Sequence, residues 1–318
     1  FYPDVFCAAI LNSQPMGFYA PSQLVRDARE HGVAVHEPDV NLSDWDCTLE
    51  QAVLDPRRIA PRHASMRDVI RTERAVRLGL RNIKGLSEKD MQTLMDRRGA
   101  GFVSVRDVWH RCGFSLGTMQ HLARADAFRS IGLDRRQALW EVRALDRGDG
   151  DMPLLDQPWN DISAIEPSTN LPAMPVSQHV IEDYRSLSLS LKAHPLSFLR
   201  GDLARHKATP NQSLAELPSG RRVSVAGLVL IRQRPGTAKG VIFMTIEDET
   251  GTANIIVWKG VFERFRAVVL GARLVQVTGR LQSASGVVHV VAERIEDMSP
   301  LLRQLSEDEE RIDFRAPT

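Results

Sequence analysis

The sequence predicts a multidomain α+β protein in which helical segments are followed by a small β-barrel. Three patterns indicate this. Residues 66–147 show helical periodicity interrupted by glycine turns. A stretch rich in Pro, Asp, Ser and Asn follows. Along residues 221–298, apolar residues alternate with polar ones, as in strands. With 318 residues, 43% hydrophobic and 25% charged, the chain has the composition of a globular protein of two or three domains.

Residues 1–65 form the first predicted segment, a stretch of mixed helix and strand. A helix is expected over residues 3–12, and a second helix begins at Pro21 and ends before Gly32, a residue type favoured just past a helix end. A short strand is expected at residues 33–36. The first helix is expected to bury Val5, Phe6, Ala9 and Ile10, and the second Leu24, Val25 and Ala28.

Residues 66–147 are expected to be helical and to contain two helix-hairpin-helix units. In the first unit, residues 83–86 (Ile-Lys-Gly-Leu) make a tight turn, and Ser87 with Asp90 starts the next helix as in a capping box. The backbone N–H groups at such a helix start favour an anion. This arrangement is typical of a clamp that holds the phosphates of a DNA duplex without reading its bases.

The second unit is looser. It consists of a helix over residues 115–124, a turn over residues 126–132 and a helix capped by Asp134. Either unit alone could be an ordinary helical hairpin, but two in tandem within a basic segment favour duplex binding. The residues expected to contact the duplex are Lys84, Gly85, Ser87, Lys89, Arg97, Arg98, Arg135 and Arg136.

Residues 148–210 are predicted to be a linker with connecting helices, residues 211–300 an OB-fold, and residues 301–318 an acidic tail. The OB prediction comes from the order of three strands, a helix and two strands. In that fold the face of the second and third strands, with the neighbouring loops, binds single-stranded nucleic acid. The residues expected there are the cations Arg232, Arg234, Lys239 and Lys259 and the aromatics Phe243 and Trp258, either of which could instead face the barrel interior.

The charge is unevenly distributed although the net charge is only +1. Residues 57–147 hold 20 Lys and Arg against 10 Asp and Glu, and residues 221–280 hold 10 against 4. Residues 1–56 are acidic instead, with 2 against 9. Basic blocks within a near-neutral chain are typical of proteins that contact phosphates, although charge runs also occur on solvated faces.

The cysteines and histidines give no metal or disulfide signature. Cys7, Cys47 and Cys112 are far apart and odd in number, which argues against a disulfide framework and favours a reducing cytoplasm. His110 and Cys112 alone do not complete a zinc site, so no metal is predicted. No apolar run reaches the roughly 20 residues of a membrane span. Because Phe1 is not an initiator Met, we expect the chain to be part of a longer protein.

Several stretches resemble a known family, the bacterial C-family DNA polymerases. Its fingers, helix-hairpin-helix and OB regions are matched in collinear order by residues 1–19, 23–32, 39–44, 83–86 and 245–251. Residues 14–19, 125–140 and 192–200 are similar to the error-prone, damage-inducible branch of that family. One departure is Ser87, which stands where many helix-hairpin-helix turns carry a second glycine.

The resemblance implies template-directed DNA synthesis by the intact protein, in translesion synthesis and repair, with Mg²⁺ held by palm aspartates outside this chain. The chain itself is then expected to lack catalytic residues and to be inactive alone. Its implied partners are primer–template DNA, single-stranded template, accessory mutagenesis proteins and a sliding clamp, in the bacterial cytoplasm. The local acids Asp44, Asp46, Asp146, Asp149 and Asp151 are expected to be solvated loop residues rather than metal ligands.

Three other functions remain open at this point. The chain could come from the replicative alpha subunit of the same family, or be a stand-alone single-strand-binding module. It could also be a self-contained nuclease or transferase, in which case its metal-dependent activity would depend on Asp149 and Asp151.

Overall fold

The computed structural model describes residues 1–16, 19–52, 55–145, 172–236, 240–284 and 287–307. The chain divides into two compact units, unit 1 over residues 1–191 and unit 2 over residues 192–318. None of the helices in the described part of the chain is long and apolar enough to span a membrane.

Unit 1 combines seven described helices with a three-stranded sheet. Its helices are α1 (Pro3–Asn12), α2 (Pro21–Glu30), α3 (Glu88–Arg97), α4 (Val105–Cys112), α5 (Leu116–Arg124), α6 (Arg135–Leu145) and α7 (Val176–Leu187). The strands are β1 (Val35–His36), β2 (Thr48–Gln51) and β3 (Arg74–Arg77), with β3 in the centre, parallel to β1 and antiparallel to β2.

The sheet joins segments that the sequence placed in separate domains. β1 and β2 come from residues 1–65, whereas β3 lies in the region expected to be helical, and that expectation was therefore wrong for Arg74–Arg77. One hydrophobic core runs from Cys7 through Val76 to Leu189, so residue 65 does not divide two compact bodies. The β-branched Val76, fully buried in the central strand, shows why this short run pairs as a strand.

Helix α1 forms where expected but buries a different face. Cys7, Ala8 and Leu11 enter the core, while Val5 is 48% and Phe6 63% exposed. The predicted face was wrong because apolar residues surround this helix, so their spacing does not select one side. Asp4 decides the orientation, since its buried carboxylate accepts the N–H groups that lead into β3.

Unit 2 is a closed five-stranded barrel with flanking helices. Its helices are α8 (Pro195–Arg205), α9 (Lys259–Arg264), α10 (Arg266–Gly271) and α11 (Ser299–Glu307), and its strands are β4 (Arg222–Gln233), β5 (Ile242–Glu247), β6 (Thr252–Val257), β7 (Leu274–Ala284) and β8 (Val287–Asp297). The order β4-β5-β6-β8-β7 closes through β7 and β4, and only β6 and β8 run parallel. This is the predicted OB-fold.

The barrel interior explains the alternation in the sequence. Met244 and Ile246 of β5 and Ile255 and Val257 of β6 point inward and are almost fully buried. Their neighbours along each strand therefore face outward. The single helix expected between β6 and β7 is divided into α9 and α10 at Phe265.

Candidate nucleic-acid interface

The first hairpin turn, residues 83–87, precedes α3. Gly85 has φ +86°, a left-handed conformation that L side chains rarely adopt. The Ser87 hydroxyl accepts the Asp90 N–H at 3.1 Å, which confirms the predicted cap. The residues before the turn, Leu80–Asn82, form a 3-10 turn rather than an α-helix. The turn and the start of α3 are exposed, and the first N–H groups of a helix have no intrahelical partners.

His121 of α5 lies directly against this turn. A Cβ on Gly85 would come within 2.5 to 2.9 Å of three atoms of the His121 imidazole. Glycine is therefore required at position 85 both by the left-handed backbone conformation and by the close approach of the His121 ring. The sequence reasoning missed His121, because 36 residues separate it from Gly85 and its neighbours carry no motif.

The cations expected around the first turn do not all lie there. Lys84 and Lys89 are exposed near the turn, and the Lys84 ammonium donates to the Tyr184 carbonyl at 3.2 Å. Arg97 ends α3, eight residues beyond Lys89 and thus about 12 Å along the axis. Placing Arg97 and Arg98 at the same end as the turn was wrong.

Arg98 has turned toward the protein. Its guanidinium donates to the Val40 and Ser43 carbonyls and pairs with Asp44 at 3.3 Å. These bonds use all three guanidinium nitrogens, and the side chain is mostly covered. Arg98 therefore ties the end of α3 to the segment between β1 and β2, and these internal bonds argue against the predicted duplex contact.

The helix that follows the second hairpin turn, residues 126–132, is capped by Asp134 as predicted, but its first two arginines are bound within unit 1. Asp134 and Gln137 exchange reciprocal bonds, in which the Asp134 Oδ1 accepts the Gln137 N–H at 2.8 Å and the Gln137 Oε1 accepts the Asp134 N–H at 2.9 Å. The next residue, Arg135, is fully buried and pairs with Asp183 of α7. Its guanidinium also donates to the His179 carbonyl at 2.8 Å.

Arg135 was consequently wrong as a DNA-contacting residue. Its neighbour Arg136 is half-buried and donates to the Pro172 carbonyl at 2.7 Å and to the Gln178 Oε1 at 3.3 Å. The segment that begins at Pro172 and continues into α7 thus occupies the arginines of this hairpin. The contacts lie 36 to 48 residues away in sequence, so local pattern does not reveal them.

A third glycine turn, which was not predicted from the sequence, precedes α5. Gly113 has φ +66°, and Ser115 caps the helix by accepting the Thr118 N–H at 3.2 Å. The same order of left-handed glycine, apolar residue and capping residue occurs at Gly85 and at Gly132. Only the spacing of glycine and serine could have indicated it.

In unit 2, a partly apolar surface is formed by Phe243 of β5, Ile256 of β6 and Trp258, which directly follows β6. It is here called the β5–β6 face. Phe243 is 39% and Trp258 56% exposed, so both rings face outward rather than into the barrel. Phe243 pairs directly with Ile256, and Trp258 follows two residues later on the same side. Diagonal neighbours of this kind lie about 7–8 Å apart, within reach of both rings.

Two of the predicted cations border this face. The Arg234 guanidinium lies 5.6 Å from the centre of the Phe262 ring, and the Lys259 ammonium is 3.9 Å from Glu263. Both approach Gly240, where a Cβ would lie 3.7 Å from the Arg234 Nη2 and 3.6 Å from the Lys259 Cδ. Lys239 lies outside the described residues.

Arg232 has a different role from the one expected. It belongs to β4 rather than to the loop, and its guanidinium donates to the Val269 and Ala272 carbonyls. Those carbonyls belong to the last turn of α10 and the residue that caps it, where a cation is favourable. Partial burial lowers the pKa of the Arg232 guanidinium. Arg232 therefore stabilises the helix end and is not available as a loop cation.

The acids considered as possible metal ligands are paired with arginines or lie outside the described residues. Asp44 pairs with Arg98 and Asp46 with Arg81 at 2.5 Å, and the other acidic group considered, Asp146, Asp149 and Asp151, lies outside the described residues. Asp27, His31 and His63 are the one group of His, Cys, Asp or Glu in the described chain whose ligand atoms converge, within 4.8 Å. The two imidazole rings are stacked at 4.0 Å, so their in-plane lone pairs do not point at one ion.

Two family descriptions match the chain. A helix-hairpin-helix motif matches residues 32–138, and an OB-fold nucleic acid binding domain matches residues 223–298. The first match includes both the sheet and the hairpins of unit 1, and the second coincides with the barrel. Together with the fold, these matches define a protein built from two modules of the nucleic-acid-binding class.

Curated relatives match almost the whole chain. The error-prone DNA polymerase of Mesorhizobium japonicum is 61% identical over 96% of this chain, and error-prone DNA polymerase 1 of Rhizobium meliloti is 57% identical over 98%. The error-prone DNA polymerase of Caulobacter vibrioides is 49% identical over 96%. The chain spans 28% of the length of each of these relatives and matches their C-terminal part. Over almost its whole length, the chain is therefore similar to the C-terminal part of proteins named error-prone DNA polymerase.

Proposed function

We propose that this chain is the DNA-holding part of an error-prone DNA polymerase. In this proposal unit 2 binds the single-stranded template and unit 1 binds the backbone of the primer–template duplex. The observation that carries it is the pair of exposed aromatic rings, Phe243 and Trp258, on the β5–β6 face beside Arg234 and Lys259. Aromatic side chains on that face are the stacking platforms of OB-folds.

For unit 1, the proposed DNA contact involves fewer residues than the sequence predicted. The first hairpin turn, with Lys84, Lys89 and the exposed start of α3, is the proposed phosphate contact. Arg135 and Arg136 are excluded because intramolecular bonds occupy their guanidinium groups. Backbone contacts of this kind position the duplex without selecting a sequence.

Nucleotidyl transfer itself is proposed for the intact protein. The two-metal chemistry would use Mg²⁺ held by carboxylates outside this chain, because Asp44 and Asp46 are bound to arginines. We expect the chain alone to be inactive. Translesion synthesis and repair in the bacterial cytoplasm, with a sliding clamp and accessory mutagenesis proteins as partners, belong to the same proposal and follow from the similarity to named error-prone polymerases.

The test is fluorescence anisotropy with the complete chain at low salt. One probe is an oligo-thymidylate of about 16 nucleotides, the upper end of the site size of one OB-fold, and the other is a blunt duplex of the same length. We expect saturable binding of both, weakening as salt rises. If neither probe binds at low salt, the proposed function is wrong.

A further inference from the structure

A second wall of the barrel carries a cavity away from the β5–β6 face. It lies where the first half of β4, with β7 and β8, meets the residues after α8, and its volume is about 550 Å³. Ser224, Thr278 and Arg294 stand side by side on three adjacent strands, since Ser224 pairs with Thr278 and Thr278 with Arg294. Directly paired residues face the same side of a sheet, so these three side chains form one row.

The cavity is strongly basic. Four cations line it, Lys207, Arg221, Arg222 and Arg294, against the single carboxylate of Glu296. Arg294 pairs with Glu296, and Arg222 pairs with Glu293 at 3.0 Å. Within the described part of the chain, Lys207 and Arg221 have no ion-pair partner. Two exposed cations are therefore left to bind an anion from solution.

The floor of the cavity offers a donor. The Ser224 Oγ accepts a hydrogen bond from the Gln276 amide at 2.7 Å and from the Thr278 hydroxyl at 3.4 Å. Because both lone pairs of this oxygen are then used, its own proton is left to donate. A hydroxyl proton below unpaired cations favours a ligand rich in acceptor oxygens. Gln276, which is almost fully buried, holds this arrangement in place.

We propose that this cavity binds a phosphate-bearing ligand. Its volume lies within the range of small-molecule sites, about 300–1,000 Å³, and accommodates a nucleotide or pyrophosphate. Arginine and lysine donors with a hydroxyl are the groups that bind phosphate oxygens through short charge-assisted hydrogen bonds. The phosphate can belong to a free compound or to a nucleic-acid backbone. The proposal is independent of single-strand binding at the β5–β6 face, because it uses different residues.

The test uses the complete chain with both unpaired cations changed, Lys207→Gln and Arg221→Gln. The matched control, Arg205→Gln with Arg266→Gln, removes two exposed cations of the same unit outside the cavity. Isothermal titration calorimetry with inorganic pyrophosphate is expected to show binding to the wild type and the control. Binding to the cavity variant should be at least about tenfold weaker, as expected when charge-assisted hydrogen bonds are removed.

A second arm distinguishes the two phosphate sources. In the Phe243→Ala, Trp258→Ala background, residual oligo-thymidylate binding assigns the cavity to a nucleic-acid backbone if pyrophosphate displaces it and the added changes Lys207→Gln and Arg221→Gln abolish it. Pyrophosphate binding without such displacement assigns it to a free phosphate compound. The proposal is overturned if the wild type does not bind pyrophosphate at low salt, or if cavity and control variants weaken it equally. It is also overturned if the cavity binds a poly-glutamate peptide but not pyrophosphate.

Discussion

The hairpins of unit 1 and the barrel of unit 2 use their basic residues in different ways. In unit 1, Arg98, Arg135 and Arg136 bind carbonyls and carboxylates of the same unit. In unit 2, Arg232 binds helix carbonyls in the same way, but Arg234 and Lys259 lie beside Gly240 at the edge of an exposed aromatic surface. A basic segment in a sequence can therefore stabilise the fold or contact a ligand, and the position of each side chain decides which.

The largest effect is expected from the buried arginine of unit 1. Changing Arg135→Met leaves the Asp183 carboxylate buried without its main partner, and breaking such a pair costs about 3–5 kcal/mol of unfolding free energy. Urea unfolding followed by far-UV circular dichroism measures it. The control Arg136→Met, which removes more exposed bonds, should cost about 1 kcal/mol.

A double variant sharpens this prediction. Combining Arg135→Met with Asp183→Leu removes both charges, so the loss of stability should be smaller than that of Arg135→Met alone. A loss below about 1 kcal/mol for Arg135→Met would mean that this arginine is not a structural residue. The contrast between the two units would then disappear.

The aromatic face of unit 2 should give the next largest effect. Phe243→Ala and Trp258→Ala each remove a proposed stacking surface worth about 1–3 kcal/mol per base, or roughly 5- to 150-fold in single-strand affinity. Anisotropy with oligo-thymidylate measures it. The control is Leu270→Ala, an apolar residue of α10 that is 55% exposed and lies outside the face. Equal reductions of affinity in the control and the aromatic variants would show that the face is not a binding surface.

The glycine at the first hairpin turn should have a smaller and more specific effect. Gly85→Ala places a side chain in the left-handed region, which costs about 1–2 kcal/mol, and also into the His121 ring. Gly132→Ala is the matched control, because Gly132 has φ +83° with no atom within 4 Å of an added Cβ. Thermal unfolding should show a larger decrease of stability for Gly85→Ala. If both variants are destabilised equally, the His121 ring does not restrict which side chain fits at position 85.

The smallest effect is expected from the exposed lysines. Changing Lys84 and Lys89 to Ala should lower the salt dependence of duplex binding by about 0.9 in the log–log slope for each phosphate that the variant no longer neutralises. Arg97→Ala, at the other end of α3, should change the slope less. A larger change for Arg97→Ala than for the lysine pair would move the duplex contact away from the turn.

The fold was largely predictable because its signals are local. Strand alternation specifies the barrel, and the caps at Ser87 and Asp134 form as expected since each depends on residues within one turn. The site was less predictable. The partners of Arg135 and Arg98 lie 44 to 58 residues away, and the orientation of α1 depends on hydrogen bonds from residues 73 and 74. Sequence spacing alone carries no information about such distant contacts.

The most direct test of the division between the two units crosses two variants with two probes. The pair Phe243→Ala, Trp258→Ala and the pair Lys84→Ala, Lys89→Ala are each titrated with oligo-thymidylate and with blunt duplex at the same low salt. The account predicts that the aromatic pair loses single-strand affinity but keeps duplex affinity, and that the lysine pair does the reverse. If both pairs weaken both probes to the same extent, the two units do not divide the binding of DNA in this way.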